Sequence, residues 1–352
     1  MPRPIVILGP TAGGKSELAV RLAQGLAGPH STAEPAGEVI GADAFQVYRH
    51  LDAGTAKPDQ ALRERAPHHL IDIVEPTERF TAHNWLSRAH ATVADIQDRG
   101  RTPIIVGGTN LYLKALIDGM FDGPPEDLAF RYSLNGIKNP ELYYRLVQVD
   151  PAAADRIKPA DRQRIVRALE VYELTGQPIS ELQTQWNDDT SRPTHNPKFP
   201  NPILIGLRWS PEAINPRINL RVKAMFYPDK VDPELAAAVC INGESLIDEV
   251  QRLKKEGHFV PVKDQSTGLA APNQAREALG YKQILSALEG SVYPVISSIE
   301  LAFERTKVLT RRFAKQQRTW LKRFTQTHWI DCDQADSDTI AEQALAAVSV
   351  ND

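Results

Sequence analysis

The sequence predicts an α/β fold, in which a parallel sheet forms the core and an all-helical domain is inserted into it. Short apolar runs rich in β-branched residues recur along the chain, as is typical of strands buried on both faces. They lie at residues 4–8, 39–42, 103–106, 203–207 and 328–330. Helical patterns separate these runs, and alternation of strands and helices favours a parallel sheet. Between residues 106 and 203 the alternation stops and the pattern is mostly helical.

Composition narrows the class of protein. The chain has 352 residues, of which 42% are hydrophobic and 24% are charged, as expected of a water-soluble globular protein. No apolar run is long enough to span a membrane, and the first strand begins too early to leave room for a targeting segment. We therefore expect a cytoplasmic protein, with a monomer as the default state. Cys240 and Cys332 are far apart in sequence, which disfavours a zinc site or a disulfide framework.

A phosphate-binding motif follows the first strand directly. The residues fit G-x-x-x-x-G-K-[ST], the P-loop, and are Gly9, Pro10, Thr11, Ala12, Gly13, Gly14, Lys15 and Ser16. Its glycines let backbone N–H groups close on an anion, and the helix that follows adds the positive end of its dipole. Lys15 supplies a charge and Ser16 a hydroxyl for Mg²⁺. The motif predicts a P-loop NTPase-like core that binds a di- or triphosphate group.

Two polar residues follow other strands of the predicted sheet. Asp43 comes after the second run and Thr109 after the third, so both should lie on the same edge of the sheet as the P-loop. Asp43 is suited to accept a proton from a substrate held against the phosphates. Each residue could instead simply cap the helix that follows it. The third run ends in Gly107-Gly108-Thr109 without an acidic residue, which argues against an ATP-hydrolysing motor.

The helical interval gives the predicted domain organisation. Helices are expected at residues 110–116, 140–147 and 162–174, with Asp161 capping the last and Gly176 ending it. The core should then comprise residues 1–118 and 199–345, with the helical insertion at residues 119–198. Turn-rich segments lie at 28–37 and 187–197, and residues 226–243 interrupt a helical pattern.

A basic helix is predicted over residues 305–323. Five of its cations recur at helical spacing on one face, and four apolar residues mark another face. The cations are Lys307, Arg311, Lys315, Arg318 and Lys322, and the apolar residues are Leu309, Phe313, Trp320 and Phe324. Such a run is often only a solvated face, but no acidic residue interrupts it, which favours a polyphosphate partner. Because the net charge is −3, any nucleic-acid site must be local.

Taken together, these motifs resemble those of the tRNA dimethylallyltransferases. The segments that match, in order, are residues 9–16, 43–49, 54–58, 67–72, 106–112, 167–172, 279–282 and 312–320. The resemblance extends over about residues 5–329, nearly the whole chain. It departs at Ala44, where the family usually has serine, and no zinc finger follows Trp329, as in the bacterial or plastid type.

The resemblance implies transfer of a dimethylallyl group from dimethylallyl diphosphate to N6 of the adenosine at tRNA position 37, next to the anticodon. Asp43 occupies the family's general-base position. Lys15, Thr109, the P-loop amides and Mg²⁺ bound through Ser16 would stabilise the departing diphosphate, and Arg131 falls where the family has another arginine that reaches it. The alternatives are a small-molecule P-loop kinase and a nucleic-acid-binding module without catalysis.

The resemblance also implies that the anticodon stem-loop of tRNA is the partner, with the reactive base flipped into a channel. The residues that would contact tRNA are Asp43, Ala44, Phe45, Gln46, Gln163, Arg164, Ile165, Val166, Arg167, Glu277, Gly280, Tyr281 and Lys282. The helical domain would clamp the stem-loop, and the basic helix would contact phosphates.

Overall fold

A computed structural model describes residues 1–26, 35–183, 196–263, 269–290 and 297–351. The chain divides into two compact units. The first, here called the core unit, comprises Met1–Ile117, His195–Val260 and Asn273–Asp352. The second unit comprises Asp118–Thr194 and Pro261–Pro272. The predicted domain boundaries themselves stay a prediction.

The described strands are β1 (Ile5–Leu8), β2 (Gly37–Gly41), β3 (His68–His69), β4 (Thr102–Val106), β5 (Ile203–Arg208), β6 (Val262–Lys263), β7 (Ala270–Ala271) and β8 (His328–Asp331). The described α-helices are α1 (Lys15–Gly25), α2 (Gln60–Arg65), α3 (Ala82–Asp98), α4 (Asn110–Asp118), α5 (Leu128–Ser133), α6 (Asn139–Val149), α7 (Pro151–Arg156), α8 (Arg162–Thr175), α9 (Ile179–Leu182), α10 (Pro211–Phe226), α11 (Pro233–Val239), α12 (Leu246–Lys255), α13 (Tyr281–Glu289), α14 (Ile299–Leu321) and α15 (Ser337–Asn351).

Six of the described strands form one parallel sheet, in the order β3-β2-β4-β1-β5-β8. The four residues of β1 are fully buried, and Ile5 pairs with Ile104 on one side and Ile203 on the other. The chain leaves β1 for strands on one side of it and later returns to β5 on the other side. This reversal beside β1 is the point where ligands bind in open parallel sheets, and the P-loop follows β1 directly.

All five predicted strands are confirmed, and the parallel arrangement with them. β3 was not predicted, because two adjacent histidines carry no strand pattern. Its His69 is hydrogen-bonded to Glu38, Nε2 to Oε2 at 2.7 Å, at the other end of β2 from Asp43. His69 is therefore held by a hydrogen bond to a neighbouring strand of the sheet.

Packing around the sheet follows from helix patterning. The N-terminus of α3 is closed by a capping box between Thr81 and Asn84. Its buried residues are Trp85, Ala89, Val93 and Ile96, one stripe at helical spacing. Trp85 donates from its indole Nε1 to the Gly41 carbonyl at 2.8 Å, which ties α3 to the end of β2. The hydrogen bond from Trp85 thus fixes the end of β2, two residues before Asp43.

The second unit contains α5 to α9 and the short antiparallel pair of strands β6 and β7. The three helices predicted between residues 106 and 203 are confirmed as α4, α6 and α8, each slightly longer than expected. Asp161 caps α8 by accepting from Arg164 N at 3.2 Å, and Gly176 ends it, as predicted. Ile165 and Val166 lie in the hydrophobic core of this unit.

The basic helix is confirmed as α14, but only part of its predicted apolar face is buried: Phe324, just beyond the helix, lies in the core, and Trp320 packs against it. The residues that α14 buries are Ala302, Thr306, Thr310, Ala314, Gln317 and Leu321. Leu309 and Phe313 line cavities instead, and Trp320 is half-buried. Small and hydroxyl side chains let α14 approach α10 and α13 closely, so residue size decides the packed face.

The interruption predicted at residues 226–243 is also present. α10 ends at Phe226, a short 3₁₀ turn follows at Pro228–Lys230, and α11 begins at Pro233. The turn-rich segments predicted at 28–37 and 187–197 lie largely outside the described residues. Within the part of the chain that is described, no helix combines the length and apolar character needed to cross a bilayer.

Candidate active site

The P-loop connects β1 to α1 at the edge of the sheet where the parallel strands end. Gly13 N donates to the Pro10 carbonyl at 3.2 Å, which closes the turn, and α1 begins at Lys15. Trp209, just after β5, donates from its indole nitrogen to the Gly13 carbonyl at 3.2 Å. The strand–loop–helix context that the motif requires is therefore present.

A cavity of about 220 Å³ lies against this loop and is called the phosphate cavity here. All P-loop residues from Thr11 to Ser16 line it, together with Asp43, Gln46, Gly108 and Arg221. Asp43 and Gly108 follow β2 and β4, so the cavity collects residues from the ends of neighbouring strands. This arrangement suits an anion held by backbone N–H groups and positive side chains.

Two cations converge on the cavity. Lys15 Nζ donates to the Pro10 carbonyl at 2.8 Å, and Arg221 Nη2 donates to the Thr11 hydroxyl. Burial and the neighbouring Arg221 lower the pKa of Lys15 to about 7, and burial lowers the pKa of Arg221 to about 10. Two positive groups thus lie close together where little solvent reaches them. A bound diphosphate would favour their charged forms by placing negative charge beside them.

Asp43 lies just beyond β2 beside these cations. Its Oδ1 accepts hydrogen bonds from Phe45 N at 2.9 Å and Gln46 N at 3.3 Å. These bonds, which order the following turn, use one carboxylate oxygen. Burial raises the pKa of Asp43, although the same backbone bonds and Lys15 oppose the shift. The carboxyl group is therefore both held in place and made a stronger base than an exposed aspartate.

Thr109 is brought next to Asp43 by the close approach of two loops. A Cβ on Gly107 would lie 2.0 Å from the Ala42 carbonyl oxygen, so only glycine fits there. Thr109 N donates to that same carbonyl at 3.1 Å, and Thr109 Oγ1 accepts from Ala44 N at 2.9 Å. The sequence placed both residues on one edge of the sheet, and the structure confirms their proximity.

Two residues of the site were missed by sequence reasoning. Gln317, fully buried on α14, accepts from Thr11 N at 2.8 Å and donates to the Gly108 carbonyl at 2.8 Å. Arg221 comes from α10, directly after β5. A signal existed for Arg221, since Arg217 and Arg221 stand at i, i+4 on that helix. Gln317 lies within the matching segment 312–320, but the sequence does not indicate which of the adjacent Gln316 and Gln317 faces the site.

A second cavity, of about 580 Å³, opens beside the first and is called the apolar cavity here. Its walls are mostly apolar. They come from α10, from the segment just before α13 and from α14, and they include Val222, Met225, Leu279, Leu309 and Phe313. Asp43, Thr11, Thr55, Gly108, Arg221 and Phe313 line both cavities. Asp43 therefore lies where an anion-binding space meets an apolar one.

The residues predicted to meet the reactive base lie around these cavities. Ala44 and Phe45 line the apolar cavity, and Gln46 lines the phosphate cavity. Gln46 donates from Nε2 to the carbonyls of Thr55 and Ala56, both at 3.0 Å. Gln46 thus fixes the wall formed by the 51–56 loop.

The other predicted tRNA contacts of the core unit differ in exposure. Glu277 and Lys282 are exposed and form an ion pair. Gly280 and Tyr281 are buried, and the Tyr281 hydroxyl donates to Glu249. The prediction that Tyr281 contacts tRNA is therefore wrong for this structure, because the whole residue is buried and its hydroxyl supports the 51–56 loop by accepting from Gly54 N at 3.3 Å.

In the second unit, Glu170 organises two of the predicted residues. Its fully buried carboxylate accepts from Arg131 at 2.7 and 2.8 Å and from Arg167 at 2.5 Å. Arg131 also pairs with Glu126. Among the predicted tRNA contacts of this unit, Gln163 and Arg164 are exposed. The diphosphate role of Arg131 stays a prediction.

The chain is similar to known proteins in sequence and in fold. The model of the family described as IPP transferase matches residues 46–324. A tRNA dimethylallyltransferase of Geobacter sulfurreducens is 38% identical over 345 residues, 97% of this chain and 95% of that protein. One of Thermoanaerobacter sp. (strain X514) is 39% identical over 338 residues, 94% of this chain and 91% of the relative.

Solved structures agree. The full-length tRNA isopentenylpyrophosphate transferase of Bacillus halodurans aligns with a TM-score of 0.63 at 30% identity, covering 100% of this chain and 97% of that one. A eukaryotic dimethylallyltransferase acting on tRNA aligns with a TM-score of 0.72 at 25% identity, covering 100% of this chain and 79% of that one. The match over most of the chain and the paired cavities lead to one conclusion: the chain belongs to the IPP transferase family.

Proposed function

We propose that this protein transfers the dimethylallyl group of dimethylallyl diphosphate to N6 of the adenosine at position 37 of tRNA. The observation that carries the proposal is the position of Asp43, whose carboxyl group lines both the phosphate cavity and the apolar cavity. A donor with a charged head and an apolar tail, and an acceptor base, can meet at that point. Kinase activity is not favoured by the family to which the chain belongs.

The reaction forms a bond between adenine N6 and C1 of the dimethylallyl group and breaks the bond between C1 and the diphosphate oxygen. The exocyclic amine is a weak nucleophile, because its lone pair is delocalised into the ring. As the new bond forms, the amine loses a proton, which Asp43 accepts. Burial raises the pKa of Asp43 and so strengthens it as a base.

Negative charge grows on the departing diphosphate. Backbone N–H groups of the P-loop, Lys15 and Arg221 surround the phosphate cavity and would stabilise that charge, with the Thr109 hydroxyl nearby. Arg221 is added here to the residues that the sequence predicted to stabilise the diphosphate, because its side chain donates to the Thr11 hydroxyl within the P-loop. Held charges of this kind do not have to reorganise when the reaction occurs.

Mg²⁺ fits the residues present. No group of three His, Cys, Asp or Glu side chains suited to a metal occurs among the described residues. Mg²⁺ commonly keeps several waters and binds through substrate phosphates with few protein ligands, and Ser16 offers a hydroxyl beside Lys15. When bound, the ion would neutralise diphosphate charge.

The partner we propose is the anticodon stem-loop of tRNA, bound by a monomeric, cytoplasmic protein. The apolar cavity is large enough for a base to leave its stack and approach Asp43. Exposed cations of α14 and the exposed Arg164 of the second unit would contact phosphates.

The test is direct. The purified protein is incubated with Mg²⁺, dimethylallyl diphosphate and an unmodified tRNA carrying adenosine 3′ of its anticodon, and the digested nucleosides are weighed. An adenosine heavier by one dimethylallyl group supports the proposal. A tRNA with guanosine at that position is the matched control. Absence of the product, with ATP consumed on small acceptors instead, would support the kinase alternative.

A further inference from the structure

A third cavity lies at the same edge of the core unit, away from Asp43. It measures about 650 Å³ and is called the tryptophan groove here. The residues that matter for its chemistry are Arg208, Trp209, Lys315, Arg318, Lys322 and Trp329. The transfer step proposed above uses none of these side chains, although the exposed cations of α14 are also proposed to contact tRNA phosphates and Trp209 supports the P-loop.

The groove combines a planar aromatic platform with a planar cation. Trp329 of β8 lies flat on Gly206 of β5, where a Cβ would be 2.4 Å from the indole ring, so the ring needs a glycine beneath it. The Arg208 guanidinium lies 5.6 Å from the centre of that ring. Arg208 Nη1 also pairs with Asp331 Oδ1 at 3.2 Å, which helps to orient its plane. Arginine planes and aromatic rings are the surfaces on which unpaired bases stack.

The other side of the groove is cationic. Lys315 on α14 and Lys322, the C-cap residue that follows its last turn, are both exposed and stand seven residues apart, and therefore on one face. Arg318 lies between them, donates from Nη1 to the Trp209 carbonyl at 3.2 Å, and buries its Nε without a hydrogen-bond partner. No Asp or Glu is among the described residues that line the groove. Three positive side chains thus lie beside the stacking platform formed by Arg208 and Trp329.

We propose that the tryptophan groove binds a nucleotide, with its base stacked on Arg208 and Trp329 and its phosphate on Lys315, Arg318 and Lys322. Two sources offer this chemistry, an unpaired nucleotide of the bound RNA and a free mononucleotide. The RNA source rests on the proposed function. It is supported by α14, which lines both the apolar cavity and this groove, so that one strand can reach both.

Binding is tested with unmodified substrate tRNA and, separately, with AMP. Arg208→Lys keeps the charge and removes the plane, and Lys322→Glu reverses a phosphate contact. Each should weaken binding of the true ligand about tenfold, the scale of a lost stacking or charged contact. Lys255→Glu, an exposed lysine of α12 outside the groove, is the matched control and should leave binding unchanged.

The base contact is located with tRNAs that each lack one base of the anticodon loop. If RNA is the ligand, one abasic position weakens binding to the wild type but adds no further loss in Arg208→Lys. If a free nucleotide is the ligand, AMP binding is lost in Arg208→Lys and no abasic position shows such coupling. If neither probe distinguishes Arg208→Lys from the wild type, the groove does not bind a nucleotide and the inference is overturned.

Failure of this inference is distinguishable from failure of the proposed function. Dimethylallyl transfer by the wild type is measured on the same preparation, with tRNA in excess. Transfer without any effect of Arg208→Lys on tRNA or AMP overturns the groove alone. AMP binding that depends on Arg208, without transfer, overturns the proposed function alone.

Discussion

At the scale of single residues, the chemistry depends on Asp43. Replacing Asp43 by alanine should lower turnover by two or more orders of magnitude, the scale of lost general-base help, while binding of both substrates is retained. Because burial raises its pKa and the ionised form is the base, wild-type turnover should also fall on acidification earlier than for an ordinary aspartate. Single-turnover rates at saturating tRNA and donor check both points. Near-normal turnover in the alanine variant would exclude Asp43 as the base.

The lowered pKa of Lys15 predicts that the protein takes up a proton when the diphosphate donor binds. Its pKa is lowered to about 7 without ligand, and a bound diphosphate should raise it, so binding above pH 7 takes up a proton. Donor affinity should therefore weaken as pH rises beyond about 7. Lys15→Arg keeps the charge at every such pH and should remove this uptake. Calorimetry at pH 8 in two buffers of different ionisation enthalpy measures it. Equal uptake in both proteins would assign the proton to another group.

At the scale of elements, Gln317 joins α14 to two loops of the site. Replacing it by alanine leaves Thr11 N and the Gly108 carbonyl without their partner in a buried place. Such losses cost about 1–3 kcal/mol each, so the free energy of unfolding should fall by at least that much. Gln316→Ala, its exposed neighbour, is the control and should change stability little. Urea unfolding of both variants checks it, and equal stability would mean that water replaces the bridge.

Glu249 of α12 supports the 51–56 loop, accepting from Ala53 N at 3.0 Å, from Asp52 N at 3.2 Å and from the Tyr281 hydroxyl. Burial nevertheless raises its pKa to about 7 from 4.5. The folded state then holds a proton that the unfolded state releases between these values, so this contribution to stability is present below pH 4.5 and is lost as pH rises through about 7.

Glu249→Gln should remove that dependence. The wild type should lose on the order of 2–3 kcal/mol more stability than the variant between pH 4.5 and 7. Urea unfolding at both pH values measures the difference, with exposed Glu256→Gln as the control. Parallel pH profiles for wild type and Glu249→Gln would show that the carboxyl group is ionised throughout.

Most strands of the sheet could be predicted from the sequence, whereas the packed face of α14 could not. Strands buried on both faces have few alternatives, so β1, β2, β4 and β5 could be read from their apolar runs. β8 is an edge strand in which only Ile330 is buried, and its short apolar run was still sufficient. On α14, Thr306 and Thr310 look polar in sequence, yet each hydroxyl donates to the carbonyl four residues earlier within the helix, and this lets them be buried.

At the scale of the whole molecule, a chain of net charge −3 needs a local surface for tRNA. The cations of α14 are not equivalent. Lys307 pairs with Glu304 at 2.7 Å and lies 4.5 Å from the centre of the Phe303 ring, whereas Lys315 is exposed and has no ion-pair partner among the described residues. The cationic face of α14 looked uniform in sequence, but in the structure Lys307 is engaged by neighbouring side chains and Lys315 is available to a phosphate.

Lys315→Ala should weaken tRNA binding and reduce the slope of log affinity against log salt by about 0.7–0.9, the value for one lost phosphate contact. Lys307→Ala should leave that slope nearly unchanged. Titrations at several salt concentrations compare the two variants. Equal effects would mean that the Lys307 ion pair opens when tRNA binds.

The sequence by itself determined the parallel sheet, the P-loop and the edge at which Asp43 and Thr109 meet. These follow from local rules: short apolar runs, a glycine motif, and the common direction of parallel strands. Tertiary structure alone decided that Arg221 and Gln317 complete the phosphate cavity, that the Tyr281 side chain is buried, and that Trp329 and Arg208 form a groove with α14. Those depend on which distant segments pack together, and contacts between residues a hundred or more positions apart leave no periodic signal in one sequence.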